Sequence, residues 1–314
     1  MKGTPPPPLL RRAVRAGAAA AIGAAIVVPL VRRRARIPAS ATVAACAAGP
    51  LGLAVLRPRS HKRDVALYAL QMWAFTMVHE LPFDNPQRLR ERLRIRYPIV
   101  VDRALGLGRL PNVRLQRALA GRRGVGAVNR FLTWVHWLWF IEPYAALLYI
   151  LVRHPEQFPR AARRLAAVFD AGCAVYFAVP TAPPWWASEH GHSGEEVRRI
   201  MEEVGVETWK GAWPAMYGAL GGNPWAAMPS LHFATSLVVA DALAETGKVE
   251  GAVGWAYALT LGFALVYLGE HYVTDLVAGG ALVAAVRRAE PHAEPAVLAV
   301  NRGLQRLERL ANVR

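Results

Sequence analysis

Long apolar runs alternate with charged or proline-rich stretches along the whole chain of 314 residues. A helix that crosses a bilayer needs ~20 mostly apolar residues, and several of these runs approach that length. The pattern therefore predicts an all-α fold, a polytopic transmembrane helical bundle with a six-helix core and one or two N-terminal spans. The candidate spans are 13–31, 38–56, 65–80, 130–152, 165–180, 229–244, 252–269 and 272–286.

Composition divides the chain into three predicted regions. Residues 1–63 form a basic N-terminal appendage with one or two transmembrane helices, residues 64–287 form the membrane core, and residues 288–314 form a polar C-terminal tail. Within the core, residues 81–128 are basic and partly amphipathic, which is typical of helices that lie in the headgroup plane. Residues 181–224, rich in Pro, Trp, Gly and Glu, are predicted to be a loop.

The chain is strongly basic, with 38 Lys and Arg against 22 Asp and Glu and a formal net charge of +16. These basic residues cluster between the apolar runs, so anionic headgroups and lipid phosphates are the expected partners and nucleic acid is not. Lys and Arg accumulate in cytoplasmic loops of membrane proteins. Here the two faces of the predicted bundle carry equal numbers of Lys and Arg. An external position for His232 is favoured only when the basic residues of the segment 88–130 are left out of the count.

Two short motifs bring ionisable residues to the ends of apolar runs. The first, GGNPWAAMPSLHFA, contains Pro229, Ser230 and His232, and the second, GEHYVTDLVAGG, contains His271 and Asp275. Pro229 suits the first turn of a helix, where Ser230 and the backbone N–H groups favour anions. In a helix, His271 and Asp275 share one face, so the carboxylate can orient the imidazole and stabilise its charged form.

The order of the spans predicts that the two motifs meet. Span 229–244 crosses the membrane and span 252–269 returns, which brings His271 back to the face where His232 lies. Two imidazoles and a helix start can supply a nucleophile, an acid and an anion site, so no metal and no cofactor are predicted. The other histidines, including His136, are assigned to polar surface or interface positions.

PSLH followed by GEHYVTD resembles the second and third signature motifs of the type 2 phosphatidic acid phosphatase superfamily, the lipid phosphate phosphatases. The chain looks most similar to the branch that includes inositol phosphorylceramide synthases, where PSLH stands in place of the PSGH of many phosphatases. The segments NPWAAMPSLH, PTAPPWW and DRALGLGRLPNVRLQ are similar to segments of bacterial members of that branch. The resemblance extends over residues 65–287.

The resemblance implies a role for each motif residue. His271 is the implied nucleophile that forms a phosphohistidine, Asp275 orients it, and His232 protonates the departing oxygen. Ser230 and nearby amides are implied to hold the phosphoryl oxygens, and Asn223 is expected either to cap the turn before the motif or to touch substrate. A bacterial-type inner or plasma membrane location, with the active site facing outward, is also implied.

One departure from the family pattern concerns the phosphate clamp. Phosphatases of this superfamily carry Lys, six residues and then Arg-Pro, but the matching place here reads VYFAVPTAPPWW and has no Lys or Arg. Without nearby cationic side chains, a site binds a phosphate group weakly and stabilises the transition state of phosphoryl transfer poorly. We therefore predict that arginines from the segment 88–123 supply the charge. The favoured candidates are Arg88, Arg92, Arg96 and Arg103, and their rivals are Arg198, Arg199 and Lys210.

These observations predict an integral membrane enzyme that acts on a phospholipid or isoprenoid phosphate through a phosphohistidine. It would hydrolyse the lipid phosphate or, like an inositolphosphotransferase, pass the phospho-headgroup to an alcohol. The missing clamp and the PSLH motif favour transfer or a phosphodiester donor. The alternative is a non-catalytic lipid-binding or lipid-carrier membrane protein, which would tolerate His271→Ala. A zinc-binding protein is disfavoured because no third soft ligand lies near His232 and His271 in the sequence.

Overall fold

The computed structural model describes residues 7–120, 125–220 and 223–312, and within these ranges the chain is helical and contains no strands. The all-α prediction is confirmed. Two short 3-10 helices cover Leu81–Asp84 and Lys210–Ala212. The α-helices are α1 (Pro8–Val31), α2 (Ala39–Leu56), α3 (His61–His79), α4 (Pro86–Glu91), α5 (Arg96–Leu105), α6 (Pro111–Leu119), α7 (Ala127–Leu138), α8 (Glu142–Arg153), α9 (Phe158–Ala178), α10 (Pro184–Glu189), α11 (Ile200–Trp209), α12 (Trp213–Leu220), α13 (Leu231–Thr246), α14 (Lys248–Tyr267) and α15 (Val273–Asn312).

Every predicted span coincides with one of these helices or with a helix pair. Among the described residues, three helices are long and apolar enough to cross a membrane, namely α1, α2 and α14. A fourth span is added if the bent pair of α7 and α8 is taken as one. These helices fit a membrane protein.

The run 130–152, predicted as one continuous span, is broken. Helix α7 ends at Leu138, α8 begins at Glu142, and the two axes differ by 53°. Pro143 in the first turn of α8 has no backbone N–H and cannot donate to the preceding turn, so a straight helix through this point is disfavoured. Hydropathy could not show the break, because the intervening residues are also apolar.

Residues 181–224, predicted to be a loop, contain three short helices in their described part, α10, α11 and α12. Helix α11 buries Ile200, Met201 and Val204 against Trp213 and the end of α14 at Tyr267. This apolar cluster joins segments that are distant in the sequence. The local composition of residues 181–224 therefore did not indicate that the described part of this region is helical. Helix α15 likewise continues through Pro291 and Pro295 as far as Asn312.

The described chain separates into two compact units, of which the first takes in the described residues of Met1–Asp84 and Arg287–Arg314. Helices α1 and α2 pack closely, since a Cβ placed on Gly52 would lie 2.5 Å from the carbonyl oxygen of Ala18. Small residues allow such close approach of membrane helices. An ion pair between Arg63 and Glu308, 3.1 Å apart and mostly buried, joins α3 to the end of α15.

The second unit comprises the described residues of Asn85–Val286. Its centre is the antiparallel pair α13 and α14, where a Cβ on Gly254 would lie 2.9 Å from the Cα of Ala240. Helix α9 packs on the start of α13, since a Cβ on Gly172 would lie 2.4 Å from a methyl carbon of Leu231. The start of α13 lies next to the start of α15, since the N–H of Ser230 donates to the carbonyl of Asp275 at 3.0 Å.

Candidate functional site

The pair formed by His271 and Asp275 lies at the start of α15. The α15 helix begins at Val273, so His271 lies just before it rather than inside it. The Nδ1 atom of His271 is 3.3 Å from Oδ2 of Asp275, and Oδ2 also accepts the backbone N–H of Tyr272 at 2.9 Å. The histidine is 4% exposed and the aspartate 0% exposed. A carboxylate at Nδ1 fixes the tautomer that leaves Nε2 free to react.

The second imidazole meets the first where the spans were predicted to bring it. His232 lies in the first turn of α13, and its Nδ1 atom is 3.4 Å from Nε2 of His271. The rings stand edge to face, with centroids 5.6 Å apart. The ring of Trp139 packs on His232 at a centroid distance of 4.1 Å. The two histidines and Asp275 therefore form one continuous polar row.

Ser230 is the N-cap of α13 and is fully buried. Its hydroxyl accepts the N–H of Phe233 at 3.4 Å, and its own N–H donates to the carbonyl of Asp275 at 3.0 Å. Since a hydroxyl that accepts one bond can still donate another, Ser230 keeps a donor for a bound anion. The prediction that Pro229 occupies the first helical turn is wrong, because α13 begins at Leu231 and Pro229 precedes the cap.

Asn223 lies in the turn before this motif. Its side-chain oxygen accepts the N–H of Trp225 at 2.9 Å, and its carbonyl accepts the N–H of Ala226 at 3.3 Å. The contacts of Asn223 are those of a turn cap. Thr181 pairs with this turn, since its N–H donates to the carbonyl of Trp225 at 2.9 Å, and its hydroxyl lies 2.9 Å from the Tyr97 hydroxyl.

None of the four favoured arginines contacts His232 or His271 in the described part of the chain. Arg92 donates to the carbonyl of Phe177 at 2.6 Å, at the end of α9. Arg103 donates to the carbonyl of Ser193 and lies 3.7 Å from a carboxylate oxygen of Glu195.

The other two arginines belong to the starts of short helices. The backbone N–H of Arg88 donates to the side chain of Asn85 at 3.0 Å, and Arg96 is the first residue of α5. Phosphate binding by all four arginines, like that by Ser230 and Asn223, stays a prediction. Part of the predicted arginine segment, residues 121–123, lies outside the described residues.

A rival cation, Arg199, lies in a charged cluster next to the nucleophile position. Its guanidinium stacks on Trp185 at 3.8 Å and lies 3.7 Å from a carboxylate oxygen of Glu270, the residue before His271. It also lies 3.4 Å from a carboxylate oxygen of Glu202. Burial raises the pKa of Glu270, and the positive charge of Arg199 opposes that shift.

Three buried polar side chains of the DRALGLGRLPNVRLQ segment position the loop that carries His271. Asp102 accepts the N–H groups of Val273 and Thr274 at 2.8 and 2.9 Å, and so caps α15. Asn112 donates to the carbonyls of Val266 and His271 at 2.7 and 2.9 Å.

Gln116 donates to the carbonyls of Tyr267 and Arg198, both at 2.9 Å. We call Asp102, Asn112 and Gln116 together the polar clamp, which is distinct from the family's phosphate-binding motif. Asp102 and Asn112 are 0% exposed and Gln116 is 5% exposed. The segment was singled out for its family resemblance, but these roles of its polar residues were not predicted. The signal available was the i, i+4 spacing of Asn112 and Gln116, which places both on one helix face.

The assignment of His136 to a surface or interface position is wrong. Its side chain is 5% exposed, and its ring centroid is 5.1 Å from that of His232. His136 lies on the buried face of α7, and its ring and that of Trp139 both pack on His232. Within the described residues, no group of three or more His, Cys, Asp or Glu side chains is arranged to hold a metal ion.

Comparison with known proteins gives one informative match. No curated protein and no solved structure matches this chain significantly. The sequence profile of the PAP2 superfamily, however, matches residues 99–288, a stretch that contains both histidines, their aspartate partner and the polar clamp. This match supports a phosphatase-type enzyme of lipid phosphates, and it covers more than half of the chain. The chain therefore belongs to the PAP2 superfamily.

Proposed function

We propose that this protein is an integral membrane enzyme that transfers the phosphoryl group, or a phospho-headgroup, of a phospholipid or isoprenoid phosphate through a phosphohistidine on His271. The observation that carries the proposal is the row in which His271 has Asp275 at 3.3 Å from one ring nitrogen and His232 at 3.4 Å from the other. A nucleophile, its orienting carboxylate and an acid are the groups that this chemistry requires.

In the first step, Nε2 of His271 attacks phosphorus and a P–N bond forms. The bond from phosphorus to the lipid oxygen breaks, and that oxygen takes a proton from His232 as it leaves. Asp275 holds the Nδ1 proton of His271 and stabilises the positive charge that the ring gains. Ser230 and the first-turn N–H groups of α13 meet the phosphoryl oxygens at the positive end of the helix dipole.

In the second step, a hydroxyl group resolves the intermediate. His232 is now neutral, so it can accept a proton from the attacking water or alcohol while the P–N bond breaks. Water gives hydrolysis, and an alcohol gives an inositolphosphotransferase-like reaction. Arg88, Arg92, Arg96 and Arg103, or Arg199 in their place, would supply positive charge to the substrate. We further propose an outward-facing active site in a bacterial-type inner or plasma membrane.

The test uses the purified full-length protein in lipid-detergent micelles, offered a panel of phospholipids and isoprenoid phosphates with and without an alcohol. Hydrolysis releases free phosphate from a monoester or the headgroup phosphate from a diester. Transfer gives a new phosphate ester of the added alcohol, which is a monoester from a monoester donor and a diester from a diester donor. His271→Gln should abolish both products. The control is His292→Gln, because His292 is exposed on α15 and bonds only locally, to the carbonyl of Arg288 at 3.0 Å.

The alternative, a non-catalytic lipid carrier, predicts a different result. Such a protein would bind lipid phosphates and form neither product, and His271→Gln would leave binding unchanged. A wild-type protein that turns over no member of the panel, while binding one of them, would therefore overturn the enzyme proposal. A His271→Gln variant with wild-type turnover would remove His271 from the mechanism.

A further inference from the structure

We propose that a buried polar stripe on α7, formed by Asn129, Thr133 and His136, conducts the water that resolves the phosphohistidine. This inference rests on the proposed function and makes it more specific, because it assigns a water path to the hydrolytic second step. It concerns residues to which the mechanism above gives no role.

The three side chains share one face of a helix whose other residues, apart from the exposed Arg130 in its first turn, are apolar. Their spacing of four and then three residues places them in a row, and a rise of 1.5 Å per residue makes that row about 10 Å long. Asn129 and Thr133 are 0% exposed, and His136 is 5% exposed. The opposite face is typical of a lipid-facing surface, with Phe131 60% exposed and Trp134 51% exposed.

Each side chain of the stripe has a buried polar atom without a hydrogen-bond partner among the described residues. These atoms are Nδ2 of Asn129, Oγ1 of Thr133 and Nδ1 of His136. Buried polar atoms in proteins are nearly always paired, and ordered water is the usual partner where side chains do not supply one. Three such atoms in a row therefore point to a row of bound water molecules.

The two ends of the stripe give it a direction. Asn129 lies in the first turn of α7, at its N-terminal end. Its side-chain oxygen accepts a hydrogen bond from the Tyr267 hydroxyl. At the other end, the ring of His136 lies 5.1 Å from the ring of His232. Water passing along the stripe would thus arrive beside the residue that acts as base in the second step.

The reaction at that end is balanced without any further reactant. The water oxygen forms a bond to phosphorus, and the P–N bond breaks with its electron pair returning to Nε2 of His271. The proton of the water passes to His232, which thereby regains the proton that it gave to the lipid oxygen in the first step. A separate water path would let hydrolysis proceed while the lipid side of the site remains covered.

The experiment separates the two steps in a single turnover, with enzyme in excess over a lipid phosphate carrying radioactive phosphorus. Samples are quenched in alkali, in which phosphohistidine is stable. Thr133→Val removes the hydroxyl at nearly constant volume, so lipid consumption should be unchanged while phosphate release slows about tenfold and phosphoenzyme accumulates. With an alcohol present, more of the label should appear as the phosphate monoester of that alcohol.

Two controls accompany this variant. Thr133→Ser keeps the hydroxyl and should release phosphate at the wild-type rate, and Phe131→Leu changes only the exposed face of the same helix. The inference is overturned if Thr133→Val releases phosphate as fast as wild type, if it slows both steps equally as a packing defect would, or if the wild-type phosphoenzyme reacts with alcohol only. If the wild type forms no phosphoenzyme at all, the proposed function itself fails.

Discussion

Replacing Asp102 tests whether the clamp over the α14–α15 loop positions the nucleophile. This carboxylate is 0% exposed and accepts the N–H groups of Val273 and Thr274 at 2.8 and 2.9 Å, together with the Thr274 hydroxyl. Leaving a buried N–H group unpaired costs ~1–3 kcal/mol, and loss of a helix N-cap costs up to ~2 kcal/mol. Because Val273 and Thr274 are only half-buried, water can replace part of the lost bonding, and Asp102→Ala should destabilise the protein by about 3 kcal/mol.

The more informative change is Asp102→Asn. The amide oxygen can accept from one N–H group, but the amide NH2 then faces the other, so about half of the capping energy, about 1.5 kcal/mol, should be lost. The start of α15 carries Asp275, and His271 lies just before it, so a small displacement there would misalign His271, the proposed nucleophile. We expect kcat to fall about tenfold, with KM within about twofold of the wild type.

The assay combines kcat and KM for a lipid phosphate with thermal unfolding in detergent. Glu91→Gln is the matched control, because it removes one negative charge from an exposed position on neighbouring α4. An Asp102→Asn protein that unfolds at a lower temperature but keeps the wild-type kcat would refute the positioning role. It would show that Asp102 supports only the fold.

Three further predictions follow from the site. His232→Gln should lower kcat for a lipid phosphate about 1000-fold, but much less for an aryl phosphate, whose leaving oxygen needs no proton. An equal loss of kcat on both substrates would contradict the role of His232 as a general acid. Gly279→Ala should destabilise the protein by ~1–3 kcal/mol in thermal unfolding, because the new Cβ would lie 2.8 Å from the carbonyl oxygen of Ser230. The control Gly280→Ala should not destabilise it, because the nearest atom to its Cβ is 4.0 Å away. Burial raises the pKa of Tyr97 to about 12, so its hydroxyl stays protonated below that pH, and the pH–rate profile of Tyr97→Phe should run parallel to that of the wild type between about pH 6 and about pH 9. Crossing profiles would show that Tyr97 titrates.

That His232 and His271 lie at the same end of the helix pair was predictable from the sequence. Helices α13 and α14 run antiparallel, so the end of α14 returns to the side where α13 begins, and the two rings are 3.4 Å apart at their nearest nitrogen atoms. The i, i+4 relation of His271 and Asp275 also survived the two-residue error in the start of α15, since a carboxylate in the first turn reaches back to the residues before the helix.

The residues that hold this geometry could not be found in the same way. Asp102 caps a helix whose first residue, Val273, is 171 positions further along the chain, and no local periodicity records such a contact. The break after α7 was hidden for a different reason, since hydropathy measures side chains and the break depends on the missing N–H of Pro143. His136 was misassigned because it was considered as a single polar residue, whereas it shares the buried face of α7 with Asn129 and Thr133.

The placement of the arginines bears on the charge of the substrate. Arg92 and Arg103 are already bonded to backbone carbonyls, and Arg199 lies within ion-pair distance of Glu202 and Glu270. To bind Arg92, Arg103 or Arg199, a phosphomonoester dianion would have to draw that cation away from its partners, at the cost of exposing a carboxylate or carbonyl group. A phosphodiester carries a single negative charge, which the half-charge at the start of α13 and one protonated imidazole can balance without that rearrangement. We therefore expect diesters to give the higher kcat/KM in the substrate panel, and a strong preference for monoesters would mean that an arginine moves into the site when substrate binds.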